Sequence, residues 1–196
     1  MKIAIQKKGR LNELSIKWLK SQNIVFKACN DRKLILTDIG NKNTLFLLRD
    51  DDIPNIVDKG IADWGIVGSD VYNEYIGASK KNNLVIMKKF ENEVCKFMIA
   101  GKQNKIQIKD LNNKNIATSY PNMLKSFLTK NKIKATIKIM NGSIEAAIDM
   151  QYADFICDLV SSGETLKNNG LRPLITVTDI YPVLIKNKKS KELICK

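Results

Sequence analysis

The 196-residue chain contains no histidine. That removes the commonest general base near neutral pH, and with it Ser-His-Asp and Cys-His catalysis. The four cysteines, Cys29, Cys95, Cys157 and Cys195, are far apart and form no CxxC pair. A disulfide framework and a zinc site are therefore not expected, and the thiols read as reduced. No run approaches the roughly 20 apolar residues that would span a bilayer. The opening MKIAIQKKGRL returns to charge after one short apolar patch, unlike a secretory leader. The expected location is cytoplasmic. Aromatics make up only 7% of the chain and do not interleave with its basic residues, so a base-stacking nucleic-acid surface is not expected.

Positive charge is abundant: 33 Lys and Arg stand against 20 Asp and Glu, a net charge of +13. Such a surface attracts anions, phosphorylated metabolites among them, although spread lysines also serve solubility. Catalysis without histidine would rest on carboxylates, cations, backbone amides or a metal brought by the substrate.

Short β-rich runs alternate with helical periodicity. KIAIQ, KLILT, TLFLLR, WGIVG, LVIMKKF, CKFMIAG, NIATS, ATIKIM and DFICDLV read as strands, and LRPLITVTDIYPVLIKN as extended chain. Helices are expected in RLNELSIKWLKSQ, from Asp52 to about Lys59, behind a Ser69-Asp70 cap, in PNMLKSFLTKN and in SIEAAIDMQ. The alternation implies parallel α/β layers. A break in rhythm near residues 86–100 divides the chain into two lobes. Residues 1–90 form the first, with about 178–196 returning to it, and residues 91–177 form the second. A cleft between lobes is a common place for a ligand.

Ligands of parallel α/β sheets sit beyond the carboxyl ends of the strands. Asp158 to Thr165, DLVSSGET, occupies such a place. Gly163 permits close backbone approach, Ser161, Ser162 and Thr165 add hydroxyls, and Asp158 suits sugar hydroxyls. This is the shape of a phosphoribosyl-diphosphate loop. The alternative is a Ser162 cap with Asp158 closing a turn. NGSIEAA places Gly142 and Ser143 at a helix start with Glu145 in its first turn, where a simple cap is again an alternative. Lys7, Lys8, Gly9 and Arg10 follow the first strand, a basic helix start that opposes the helix dipole and favours an anion. Arg49 ends TLFLLR and either meets an anion or pairs with Asp50, Asp51 and Asp52.

In this order, IAIQKKGRL, RDDDIPNIVDKGIADWGIVGSDV, IATSYPNMLKSFL, NGSIEAA and ADFICDLVSSGETLKNNGL resemble the ATP phosphoribosyltransferase family of histidine biosynthesis. The resemblance implies a two-lobed α/β fold of the periplasmic-binding-protein type II, with the active site in the inter-lobe cleft. It implies transfer of the ribosyl C1 of phosphoribosyl diphosphate to N1 of ATP, with release of pyrophosphate and a requirement for magnesium. No protein metal ligands are implied, because magnesium would ride on the substrate phosphates.

Carried over by motif, Arg49, Lys7 and Arg10 become catalytic cations. Asp158, Ser161, Ser162, Gly163, Glu164, Thr165 and Glu145 would bind phosphoribosyl diphosphate. Lys8, Gly9, Arg32, Asp70, Tyr120 and Asp154 would face ATP, with the choice between Lys7 and Lys8 open. The resemblance further implies a homodimer, or a hetero-oligomer with a regulatory subunit like histidyl-tRNA synthetase. The C-terminal histidine-binding domain of the long form is expected to be absent. A non-catalytic bilobal protein that captures a phosphorylated ligand is the competing expectation.

Overall fold

The computed structural model describes residues 1–26, 33–40, 42–79, 81–91 and 95–190. The chain divides into two compact units: Met1–Asn92 with Tyr181–Lys196, and Glu93–Ile180.

The first unit is built on a six-stranded sheet ordered β2-β3-β1-β4-β11-β5. Its strands are β1 (Lys2–Gln6), β2 (Ile35–Thr37), β3 (Thr44–Leu48), β4 (Trp64–Gly68), β5 (Leu84–Lys89) and β11 (Pro182–Asn187). The central strands read as continuous apolar runs because both faces are covered. Ile3, Ile5, Trp64, Ile66 and Leu184 pack on one side with Leu19 of helix α1 (Arg10–Ser21). Ala4, Val67 and Ile185 point to the other, against Ile53 and Val57 of α2 (Ile53–Asp58) and Val71 and Tyr72 of α3 (Ser69–Ala78). Gly65 lets α2 lie close, since a Cβ there would fall 2.7 Å from Ile53 Cγ2 and 3.0 Å from Val57 Cγ2.

The second unit has a five-stranded sheet ordered β10-β6-β9-β7-β8. It comprises β6 (Cys95–Gly101), β7 (Asn115–Thr118), β8 (Thr136–Ile139), β9 (Phe155–Val160) and β10 (Arg172–Ile180). Phe97, Ile99, Ile116 and Phe155 meet α4 (Pro121–Lys130) through Met123, Leu124 and Leu128. The opposite face, with Ala100, Ala117 and Ile156, is closed by Ala147 of α5 (Ala146–Asp149) and Leu166 of α6 (Glu164–Asn168).

The sheets are mixed, which corrects the expectation of parallel layers. β1 pairs parallel with β3 and β4, and β7 parallel with β8 and β9. β2, β6, β10 and β11 run antiparallel to their neighbours. Hydrophobic alternation registers which face is buried but not strand direction.

Two helix starts also differ from the sequence reading. The N-cap of α3 is Gly68, and Ser69 lies inside the first turn. The Ser69 hydroxyl instead accepts the Tyr181 N–H at 3.1 Å, while its own N–H donates to the Tyr181 carbonyl at 2.8 Å. Helix α5 begins only at Ala146, because Gly142 and Ser143 both take positive φ, 92° and 47°, ahead of it. Glu145 is thus the N-cap residue and not part of the first turn.

Candidate functional site

Each unit has a topological switch point, where adjacent parallel strands send their chains to opposite faces. Open α/β sheets bind ligands beyond the carboxyl ends of such strands. In the first unit the pair is β1, followed by α1 on one face, and β4, followed by α3 on the other. In the second it is β7, followed by α4, and β9, followed by α6.

The carboxyl edge of the first unit gathers Lys7, Lys8, Gly9 and Arg10 from β1, Arg49 from β3 and Asp70 from β4. The Lys7 N–H donates to the Leu48 carbonyl at 2.9 Å, which brings the segment after β1 beside Arg49. Gly9, the N-cap of α1, has φ 92° and ψ −178°, a conformation essentially reserved for glycine. It turns the chain into the helix with Lys7, Lys8, Arg10 and Arg49 all exposed. No ion pair joins Arg49 to Asp50, Asp51 or Asp52 among the described residues. Burial, then the charges of Asp50 and Asp52, push the Asp51 carboxyl up, and Arg49 offsets part of this. Asp70 is buried against Gly68, where any Cβ would collide with its carboxylate. Arg32 lies outside the described residues.

The carboxyl edge of the second unit is built from three loops. After β7 the Thr118 hydroxyl accepts the Tyr120 N–H at 3.0 Å and shapes the turn into α4. Thr118 is fully buried, and the paired hydroxyls before proline in TSYP are its only mark in the sequence. The Tyr120 ring packs edge-on against Phe97 at 5.6 Å, so its body belongs to the core. After β8 come Gly142, Ser143 and Glu145. After β9 come Ser161, Ser162 and Gly163, the last a left-handed N-cap of α6 with φ 76°. Ser161, Ser162, Glu164 and Thr165 are exposed. The Ser162 hydroxyl accepts the Glu164 N–H at 3.3 Å and steadies the turn.

Asp158 sits in the carboxyl half of β9, half-buried, two residues beyond Ile156 and hence on the face closed by α5 and α6. Burial pushes its carboxyl up, the Leu159 N–H at 2.7 Å opposes this, and the nearby Glu145 charge raises it further. Glu145, the N-cap of the helix packed on this same face, is near enough for its charge to act on Asp158. Two carboxylates on one face, followed by the hydroxyls of the Ser161–Thr165 loop, suit a polyol that carries an anionic group. Asp154 is not part of this edge. It precedes β9, so the strand carries it to the opposite end, roughly 20 Å from Ser161 at about 3.3 Å per residue. There its carboxylate accepts the Asn115 N–H at 2.8 Å and lies 3.8 Å from Lys114 Nζ. Among the described residues no group of three or more His, Cys, Asp or Glu side chains is arranged to hold a metal. No helix among them is long and apolar enough to cross a membrane.

Known proteins can be set beside this geometry. The ATP phosphoribosyltransferase family model matches residues 49–194. An ATP phosphoribosyltransferase of Azobacteroides pseudotrichonymphae is 38% identical over 98% of this chain and 66% of its own length. That of Cytophaga hutchinsonii is 42% identical over 88% of this chain and 59% of its own. This chain thus spans about two thirds, or less, of such relatives. The ATP phosphoribosyl transferase (HisG:HisZ) complex from Thermotoga maritima superposes with a TM-score of 0.76 at 27% identity, covering 96% of this chain and 88% of that one. The alkanesulfonate-binding protein SsuA from Xanthomonas axonopodis superposes at 0.54 with 14% identity, covering 96% and 65% respectively. The latter likeness concerns the two-lobed fold alone.

Proposed function

Because the chain belongs to the ATP phosphoribosyltransferase family, we propose that it transfers a phosphoribosyl group from phosphoribosyl diphosphate to N1 of ATP. The observation that carries this reading is the Glu145–Asp158 pair beside the left-handed Gly163 turn, at the switch point of the second unit.

The adenine N1 lone pair forms the new bond to C1 as the C1–O bond to pyrophosphate breaks, so no protein nucleophile is needed. The chain must align the reactants and meet the charge that develops on the leaving oxygen. Asp158 and Glu145 would hold the ribose hydroxyls, and the Ser161–Thr165 loop the 5-phosphate. Arg49, Lys7 and Arg10 would meet pyrophosphate and ATP phosphates, with Lys8, Gly9 and Asp70 on the nucleotide side and Tyr120 shaping the turn beside the ribosyl group. Magnesium favours oxygen donors and keeps much of its water, so it would be carried mainly by the substrate phosphates and not by a cage of protein ligands. When bound, it would neutralise charge on the departing diphosphate.

A biosynthetic role in the cytoplasm belongs to the same reading. So does assembly as a homodimer, or with a regulatory subunit of the kind found in the Thermotoga maritima complex. The test is ultraviolet absorbance of the N1-substituted adenine product, with ATP, phosphoribosyl diphosphate, magnesium and pyrophosphatase present. Signal that requires both substrates is expected. Binding of phosphoribosyl diphosphate by calorimetry without turnover would point to a required partner, and the absence of binding would overturn the reading.

A further inference from the structure

Among the described residues, five non-glycine residues have positive φ: Asn23, Asn113, Lys132, Ser143 and Gln151. Asn23, Lys132 and Gln151 directly follow the closing residues of α1, α4 and α5, where a left-handed residue is a routine way to end a helix. Asn113 follows the 3-10 turn Ile108–Leu111 in the same manner. Ser143 ends nothing. It stands in the loop between β8 and α5, at the carboxyl edge of the second unit, with φ 47°.

Its surroundings account for the geometry. The Met140 N–H donates to the Thr118 carbonyl at 3.1 Å, fixing the end of β8 beside β7. Ile144 is buried at 2% exposure among Ala147, Ile156 and Leu166, so the chain must turn inward within four residues of Met140. Gly142 at φ 92° and Ser143 at φ 47° make that turn. The Ser143 carbonyl then accepts the Ala146 N–H at 3.2 Å, which leaves Glu145 as the N-cap, half-buried and close enough for its charge to act on Asp158. The Ser143 side chain is exposed, and its hydroxyl has no hydrogen-bond partner among the described residues.

We propose that Ser143 is a positioning residue whose left-handed backbone, and not its hydroxyl, sets Glu145 against Asp158 to receive the ribosyl group. The proposal rests on the reading of that edge as the phosphoribosyl-diphosphate site. Left-handed backbone is open to glycine, tolerated by asparagine and disfavoured by β-branched residues. Conformational preference and hydroxyl chemistry can therefore be separated by substitution.

The experiment measures phosphoribosyl-diphosphate binding by calorimetry, and KM for each substrate, for the full chain and for Ser143→Gly, Ser143→Asn, Ser143→Thr and Ser143→Val. Glycine and asparagine are expected to bind within about twofold of the original chain. Threonine and valine are expected to weaken phosphoribosyl-diphosphate binding about tenfold, leaving KM for ATP unmoved. If threonine binds normally and glycine does not, the hydroxyl is the functional group and the proposal fails. Equal binding by all folded variants overturns it as well. Should valine fail to fold, the threonine and glycine pair, checked by thermal melting, still decides. Failure of the original chain to bind phosphoribosyl diphosphate would instead sink the assignment of the edge.

Discussion

The two units solve one architectural problem with opposite chemistry. Each joins three parallel strands to antiparallel ones, on both sides in the first unit and on one side in the second, and each opens a switch point at the carboxyl edge. The first lines that edge with Lys7, Lys8, Arg10 and Arg49, and the second with Glu145, Asp158 and the hydroxyls of Ser161, Ser162 and Thr165. Cations stabilise anionic oxygens over several ångströms through charge, whereas carboxylates and hydroxyls recognise a sugar only through direct hydrogen bonds. Tolerance to substitution should differ accordingly between the two edges.

The largest effects should separate the edges by kinetic parameter. Gly163→Val forces a β-branched residue to φ 76° and is expected to abolish measurable phosphoribosyl-diphosphate binding by calorimetry. Arg49→Ala is expected to cost about a hundredfold in turnover, roughly 3 kcal/mol of transition-state stabilisation, while phosphoribosyl-diphosphate still binds. Equal loss of binding in both variants would break the comparison. Next in size, Gly65→Ala should destabilise the first unit by about 1–3 kcal/mol, since its methyl would press on Ile53 and Val57. Urea unfolding that shows an early transition in that variant, absent from the original chain, would establish separate stabilities. Asp154→Ala should lower stability by about 1 kcal/mol through the orphaned Asn115 N–H, with KM values within about twofold. An activity loss as deep as that of Asp158→Ala would contradict the placement of the site at the opposite end of β9.

The smallest effect is a contrast in acid response. Burial pushes Asp38 of the first unit up, but hydrogen bonds from Asn43 and Lys42 prevail and hold its carboxyl below the ordinary value. The unfolded chain then takes the proton first, so this contribution is present above the unfolded value and is lost on acidification through the folded one. Asp158 is shifted the other way. The folded chain keeps its proton longer, and stability falls as pH rises from the unfolded value through the folded one. Thermal melts across the acidic range should therefore show Asp158→Asn gaining on the original chain with rising pH, and Asp38→Asn losing ground.

Much of this was readable from residue order. WGIVGSD announces a doubly covered strand followed by a helix, and that is how β4 and α3 are built. The GET turn is legible as a break after β9, with the phosphate loop and the Ser162 cap both open to it, and the Ser162 hydroxyl does accept the Glu164 N–H there. Distance defeated the reading elsewhere. Ser69 seemed a helix cap, yet its hydroxyl serves Tyr181, 112 residues away. Asp154 and Asp158 lie four residues apart and look alike in sequence, but Asp154 stands just before β9 and Asp158 near its carboxyl end, which only knowledge of the strand ends reveals. The late start of α5 was hidden because the pattern SIEAAIDM is helical throughout, while the backbone of Gly142 and Ser143 is not.

The position of β11 bears on how such a chain comes off the ribosome. It lies between β4 and β5, and among the described residues it is the last strand in chain order. The first 92 residues therefore emerge with a vacant slot in their sheet, and β5 has no partner until residues 182–187 appear. The intervening unit, Glu93–Ile180, is continuous in sequence and can close as soon as it is exposed. Synthesis order and folding order would then be reversed: the segment made first is finished last. Release of nascent chains truncated just before Pro182 should yield a protease-resistant core from the second unit alone.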